Sequence, residues 1–135
     1  MKALTLTQPW ATLVAIGAKR YETRSWYTAY RGPLAIHASK GFPKWAQELV
    51  IEEPFYTVLD GIALPTGVVI ATVSLLACIP TVKLVGNLSE RERDFGDFEI
   101  GRFAWQFGDI QLLPEPVPAK GALGLWEWND RRGHA

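Results

Sequence analysis

Cysteine and histidine are scarce in this sequence, which argues against several kinds of site. Cys78 is the single cysteine among 135 residues, so no disulfide can form within the chain. The two histidines, His37 and His134, stand at no spacing typical of metal ligands, and one cysteine cannot complete a zinc cluster. We therefore predict no metal site and no cofactor.

Long apolar runs are also missing. The longest, residues 68–79, is interrupted by Thr72 and Ser74 and is shorter than the about 20 residues that a membrane-spanning helix requires. The first ten residues lack the apolar stretch of a secretory signal. These absences predict no membrane association and a cytoplasmic location.

The chain carries no net charge, but its charges are unevenly distributed. Residues 1–50 contain seven Lys or Arg and two Asp or Glu, whereas residues 51–100 contain three and eight. A neutral total argues against non-specific coating of nucleic acid, because that binding depends on an excess of positive charge. The basic first part either attracts one phosphate-bearing ligand or lies beside the acidic part in the fold.

Short apolar segments separated by turn signals make up most of the chain. The patterns predict six strands, at 3–6, 19–26, 34–38, 67–79, 102–113 and 124–128. Helices are predicted at 9–16, 42–53 and 55–59, with a further short one after the capping box that begins at Ser89. Trp45 is expected to face inward on its helix. The prolines at 114, 116 and 118 are expected to form an irregular connection.

The strand predicted at 67–79 is apolar on both faces, which is typical of a strand inside a sheet or a barrel wall. Phe103, Trp105 and Phe107 share one face of the next strand and are expected in the core. Without regular βα alternation, these elements predict an α+β fold, a small mixed β-barrel of about five to six strands with short flanking helices. One domain is expected over residues 1–129, followed by a polar tail at 130–135.

Four charged residues, Lys19, Arg20, Glu22 and Arg24, follow the first predicted helix within six positions. In a regular strand Glu22 and Arg24 share one face, while Lys19 points to the other. Lys19 can join Glu22 only where it still belongs to a turn or a bulge. The spacing alone leaves two interpretations open, a solvated strand face and a polar pocket.

Further candidates lie on either side of this cluster. Trp10 and Trp26 flank it and could offer a stacking surface to a base. Ser39 and Lys40 end the next strand and could bind an anion, or could cap the following helix. No pattern marks His37 as part of a catalytic triad. The tripeptide at 94–96 matches one kinase motif, but the remaining kinase motifs are missing.

Residues 3–40 resemble the ASCH domain family of the PUA-like superfamily, which carries a GxKxxExR signature. Gly17, Lys19, Glu22 and Arg24 match that signature in full. The likeness extends through residues 8–11, 30–39 and 120–126. The resemblance implies a small β-barrel whose signature residues line a cleft that binds RNA or a nucleotide.

The hypothesis that follows is a domain that binds RNA or a modified nucleotide or nucleoside. Its ligand-binding candidates are Lys19, Glu22, Arg24, Trp10, Trp26, Ser39 and Lys40. One alternative is a metal-independent hydrolase with Lys19 and Glu22 as catalytic residues. One ASCH branch resembles an amidohydrolase acting on N4-acetylcytidine, although it has threonine where this chain has Glu22, and other relatives are ribonucleases. The remaining alternative is a protein-interaction domain anchored by exposed tryptophans.

Overall fold

The computed structural model describes residues 1–129, so the tail predicted at 130–135 lies outside the described residues. The strands are β1 (Lys2–Leu6), β2 (Tyr21–Arg24), β3 (Gly32–Ala38), β4 (Val68–Pro80), β5 (Phe103–Pro118) and β6 (Leu125–Glu127). The helices are α1 (Trp10–Ala15), α2 (Lys44–Val50), α3 (Phe55–Leu59) and α4 (Glu90–Phe95), with a 3₁₀ turn at Thr81–Leu84. Over these residues, no helix has the length and apolar character needed to cross a membrane.

All six strands belong to one sheet, in the order β2-β5-β4-β3-β1-β6. β1 and β3 run parallel, and the other neighbouring strands run antiparallel. The sheet curls into a half-barrel, which brings β2 close to β1, four positions away in the sheet order. Arg24 on β2 donates a 2.8 Å hydrogen bond to the backbone carbonyl of Thr5 on β1. The predicted α+β class with a small, mixed, barrel-like sheet is confirmed.

β4 occupies the interior of the sheet between β5 and β3, as its two-sided apolar pattern predicts. Val69, Val73 and Leu75 on this strand are buried. Trp105 and Phe107 on β5 are buried in the largest hydrophobic cluster, and Phe103 packs against it. This aromatic stripe therefore belongs to the core, where truncating a Phe or Trp to Ala costs about 3–5 kcal/mol.

The predicted end of β5 is wrong, because Pro114, Pro116 and Pro118 lie within the strand. β2 pairs only with residues 103–106, so the far half of β5 has no neighbour on that side. The register with β4 also shifts in this region. Proline is tolerated at a sheet edge or a bulge, because no ladder hydrogen bond is lost there.

The predicted inward orientation of Trp45 is also wrong. α2 spans seven residues and buries only Ala46, while the Trp45 side chain is 59% exposed. Its ring lies 5.9 Å from the ring of Trp10, which belongs to α1. A helix this short buries a narrow stripe, and the pattern of apolar residues overstated its width.

Candidate functional site

The turn between α1 and β2 directs Lys19 into the interior of the molecule. Gly17 has a φ of +79°, a left-handed conformation that glycine adopts without strain at a helix end. The Lys19 backbone N–H then donates to the carbonyl of Leu13, at 3.0 Å. Because β2 begins only at Tyr21, Lys19 belongs to the turn. The alternating side-chain directions of a strand therefore do not apply to it. It can therefore share a site with Glu22.

Lys19 is 1% exposed, and its Nζ atom has no hydrogen-bond partner. The nearest carboxylate oxygen on Glu22 lies 3.9 Å from Nζ, and the ring centre of Phe98 lies 5.8 Å away. Burial lowers the pKa of Lys19 from its usual value, while the charges of Glu22 and Glu92 act in the opposite direction. An ammonium removed from water with so few partners is costly for the folded protein.

Lys19 opens onto a cleft of about 590 Å³, which we call the main cleft. Residues from β1, α1, β2, α2, α3, the segment 94–97 and the residue before β5 line it. Glu22 projects into the cleft between two cations, since its second oxygen lies 3.4 Å from Arg24 Nη2. The structure thus brings together Lys19, Glu22 and Arg24, which the sequence alone left on uncertain faces.

Trp10 and Trp26 also line the main cleft, and both are partly buried. Trp10 is fixed by a 3.1 Å hydrogen bond from its indole N–H to the carbonyl of Phe95. Trp26 packs edge-on against the buried Trp105, with ring centres 4.8 Å apart. Each indole is therefore held rigidly and contributes aromatic surface to the cleft.

Glu92 on α4 fixes the position of that helix beside the turn that carries Lys19. Ser89 caps this helix as predicted, accepting a 3.1 Å hydrogen bond from the Glu92 N–H. The Glu92 carboxylate does not return to the Ser89 backbone but accepts from the backbone N–H of Arg20. This contact joins α4 to the residue next to Lys19, and it holds the segment that follows α4 against the cleft.

Two parts of the main cleft were missed by sequence reasoning. Arg102, just before β5, donates to the Thr23 carbonyl at 3.0 Å. Its Nε atom lies 3.6 Å from an Asp97 carboxylate oxygen, an ion pair without a hydrogen bond. Gly96 approaches Lys19 so closely that a β-carbon there would lie 3.0 Å from Nζ. The only sequence signal at Gly96 was the kinase-like tripeptide, which points to a different fold, and Arg102 carried no signal.

Ser39 and Lys40 do not line the main cleft. They line a larger cleft of about 1180 Å³, the second cleft, together with Lys120 and Gly121. The Ser39 hydroxyl accepts from the Gly41 N–H at 3.2 Å, a local turn contact. The structure therefore places these two ligand-binding candidates apart from Lys19, and their contact with a ligand stays a prediction.

The wall between the two clefts contains a chain of hydrogen bonds centred on Thr5. His37 Nε2 lies 2.8 Å from the carbonyl of Ala119, so Nε2 carries the proton. The Thr5 hydroxyl donates to His37 Nδ1 at 3.1 Å and accepts from the indole N–H of Trp126 at 3.0 Å. Each of these polar atoms has a partner, which is typical of a structural network.

Metal ligands are not grouped in the part of the chain that the structure describes. No cluster of three or more His, Cys, Asp or Glu side chains within residues 1–129 is arranged to hold a metal ion. The main cleft itself presents ammonium, guanidinium, carboxylate and indole groups.

The family model of the ASCH domain matches residues 4–121, which include the whole lining of the main cleft and most of that of the second. The chain belongs to the ASCH family. Activating signal cointegrator 1 of Mus musculus and of Homo sapiens are each 29% identical to it over 134 residues, or 95% of this chain. That alignment spans only 22% of each relative, so the ASCH domain corresponds to a small part of those proteins.

Solved structures share this fold. The ASCH protein of Zymomonas mobilis superposes with a TM-score of 0.57 at 17% identity, over 96% of this chain and 87% of the other. A single-residue variant of the same protein gives a TM-score of 0.56 at 18% identity, over 96% and 90%. At this level of identity the likeness concerns the fold, and it agrees with a PUA-like architecture.

Proposed function

We propose that this ASCH domain binds RNA or a nucleotide, with one base in the main cleft. The observation that carries the proposal is a set of buried cationic donors that make no hydrogen bond within the protein. Lys19 Nζ, Arg24 Nε and Arg102 Nε are buried without hydrogen-bond partners, and all three residues line this one cleft. Buried donors are normally paired, so their unpaired state favours a ligand that brings acceptor oxygens or nitrogens.

The charges that line the main cleft suit a heterocyclic base. Three cationic side chains are matched by three acidic ones, Glu22, Asp94 and Asp97. A base presents both acceptors and donors on its edges, whereas a bare polyanion presents only acceptors. The acidic side chains would accept from an exocyclic amine or a ribose hydroxyl, while Lys19 donates to a base acceptor.

The two partly buried tryptophans support the same ligand class. Trp10 and Trp26 supply aromatic surface on which a base could stack, a contact worth about 1–3 kcal/mol per base. Trp45, the exposed member of the six tryptophans, stands at the edge of the same cleft. Anchoring of a partner protein by exposed tryptophans therefore receives less support than base stacking.

The proposal is tested by calorimetric titration with a mixed-sequence RNA octamer and with the four nucleoside 5′-monophosphates at low salt. Glu22→Gln keeps the shape of the side chain but removes its charge, and we expect it to weaken binding by roughly tenfold or more. Glu48→Gln is the matched control, because Glu48 is exposed on α2 and outside both clefts. Absence of saturable binding by wild type to every probe would overturn the proposal.

A hydrolase is the second candidate, and the environment of Lys19 favours it. Burial lowers the pKa of this lysine, and its Nζ atom lies beside the Glu22 carboxylate. Glu22 would take a proton from water as the hydroxide attacks an amide carbon of a modified base. Lys19 would stabilise the negative oxygen that forms. Glu22 would then return the proton to the departing amine, which balances the reaction.

This second candidate is tested by following product formation from N4-acylated cytidines and from RNA by chromatography. A hydrolase of this kind loses at least a hundredfold in turnover on Glu22→Gln, while Glu48→Gln keeps wild-type turnover. If the wild-type protein binds a ligand but releases no product from any of these compounds, the binding function stands and the hydrolase is rejected.

A further inference from the structure

The second cleft, next to the main cleft, is lined by two lysines and carries a positive charge. We propose that it holds backbone phosphates of a single-stranded RNA whose base occupies the main cleft. This inference rests on the proposed function and extends it, since it makes the ligand a polymer. A free nucleoside would fill the main cleft alone.

Charge separates the two clefts. The second cleft is lined by two lysines, Lys40 and Lys120, and by no acidic residue. The main cleft balances its three cations with three carboxylates. Phosphates carry negative charge and no donor, so an RNA backbone matches the second cleft, while the paired charges of the main cleft match a base.

The two clefts are adjacent. Thr5 lines both of them. Arg24 donates to the Thr5 carbonyl through Nη2 and keeps Nε unpaired. A strand that leaves the main cleft past Thr5 would therefore pass close to the Arg24 guanidinium on its way to the two lysines.

The side chains that remain free to bind a ligand in the second cleft also suit an RNA backbone. The buried polar atoms of Thr5 and His37 at the base of the second cleft are already hydrogen-bonded to each other and to neighbours. Binding there would depend on Lys40 and Lys120, whose exposed and flexible side chains accept phosphates in several positions. Such contacts add affinity and direction without reading sequence.

The RNA is expected to be single-stranded. The main cleft lies between secondary-structure elements, and its tryptophans are partly buried. A base can stack there only after leaving its own helix, which a single strand permits at little cost. A mixed-sequence RNA octamer is therefore a suitable probe, and the nucleoside 5′-monophosphates report on the main cleft alone.

The test compares both probes on three proteins by calorimetry over a range of salt concentrations. Lys40→Gln combined with Lys120→Gln removes both lysines of the second cleft. Lys44→Gln combined with Lys83→Gln removes the same charge from exposed lysines outside both clefts. All four side chains are exposed, so every variant is expected to fold, and thermal melting checks this.

We expect wild type to bind the octamer more tightly than any monophosphate. The Lys40 and Lys120 variant should lose about tenfold in octamer affinity, and its salt slope should fall by about 1.4, because each phosphate contact in a single strand contributes about 0.7. Monophosphate binding should stay unchanged, and the Lys44 and Lys83 variant should follow wild type in affinity for both probes.

Other results overturn the inference and separate it from the proposed function. One such result is that wild type binds the octamer no more tightly than the monophosphates. Another is that both double variants lose the same octamer affinity. In either case the second cleft holds no RNA backbone, and the base site in the main cleft stands. If neither probe binds to wild type, the proposed function fails, and the inference fails with it.

Discussion

The main and second clefts share Thr5 but differ in whether their polar side-chain atoms are hydrogen-bonded. In the main cleft, Lys19 Nζ and Arg24 Nε are buried without hydrogen-bond partners. In the second, the Thr5 hydroxyl is hydrogen-bonded to His37 and to Trp126, which lies behind the cleft lining. The unpaired donors destabilise the empty protein and favour a ligand, whereas the paired network stabilises the fold.

The comparison is tested most strongly by Lys19→Met, which replaces the buried ammonium with an apolar chain of similar length. We expect ligand affinity to fall by roughly a hundredfold, because a buried charged contact is worth about 2–5 kcal/mol in binding. Stability should equal or exceed that of wild type, since the cost of burying the ammonium disappears while Glu22 keeps its ion pair with Arg24. Calorimetric titration and urea unfolding measure the two effects, and a loss of both affinity and stability would contradict this view.

Gly121→Ala is the corresponding change in the second cleft. A β-carbon at this position would lie 2.7 Å from His37 Cε1 and from Thr5 Oγ1, so the hydrogen-bonded chain must separate. We expect a loss of about 2 kcal/mol in the free energy of unfolding, measured by urea denaturation. Gly41→Ala is the control, because its β-carbon would meet nothing closer than 3.8 Å. Equal stability of the two variants would show that the network contributes little.

Gly96→Ala should have a smaller effect on stability and a selective effect on binding. Its β-carbon would lie 2.5 Å from the Phe98 ring and 3.0 Å from Lys19 Nζ, and both are side-chain ends that can move. We expect about 1 kcal/mol of destabilisation and a roughly tenfold loss of ligand affinity as Lys19 shifts. An unchanged affinity would indicate that the ligand does not contact Lys19.

The smallest effect concerns pH. Because burial lowers the pKa of Lys19 in the folded protein, the unfolded chain binds more protons between that pKa and the usual 10.5. The free energy of unfolding should therefore rise with pH across this window for wild type, relative to Lys19→Met. Urea denaturation of both proteins at several alkaline pH values measures the difference, and parallel curves would show that the lysine titrates normally.

The sequence predicts the frame of the fold well, because apolar periodicity reports which faces are buried. It identifies β4 as an interior strand and Ser89 as a helix cap, and both are confirmed. It fails where tertiary context overrides local preference. Pro114 and Pro116 enter a strand because that part of β5 lacks a neighbour on one side, and no local pattern shows which strand will be short.

The candidate site was predictable only in its central turn. The spacing from Gly17 to Arg24 allowed Lys19 and Glu22 to meet, but only the left-handed turn at Gly17 decides that they do. Arg102 and Gly96 reach the cleft from more than 70 positions away along the chain. Their placement depends on how far the sheet curls, a quantity that the residue pattern does not encode.

The hydrogen bond from Arg24 to the Thr5 carbonyl closes a seam between strands that share no ladder. Because Arg24 also lines the main cleft, the closure of the sheet and the ligand site share one guanidinium. A ligand that binds this guanidinium would hold Arg24 in place and so stabilise the closed half-barrel. Amide hydrogens of β1 and β2, distant in the sheet order, should then slow their exchange with solvent together when the cleft is filled.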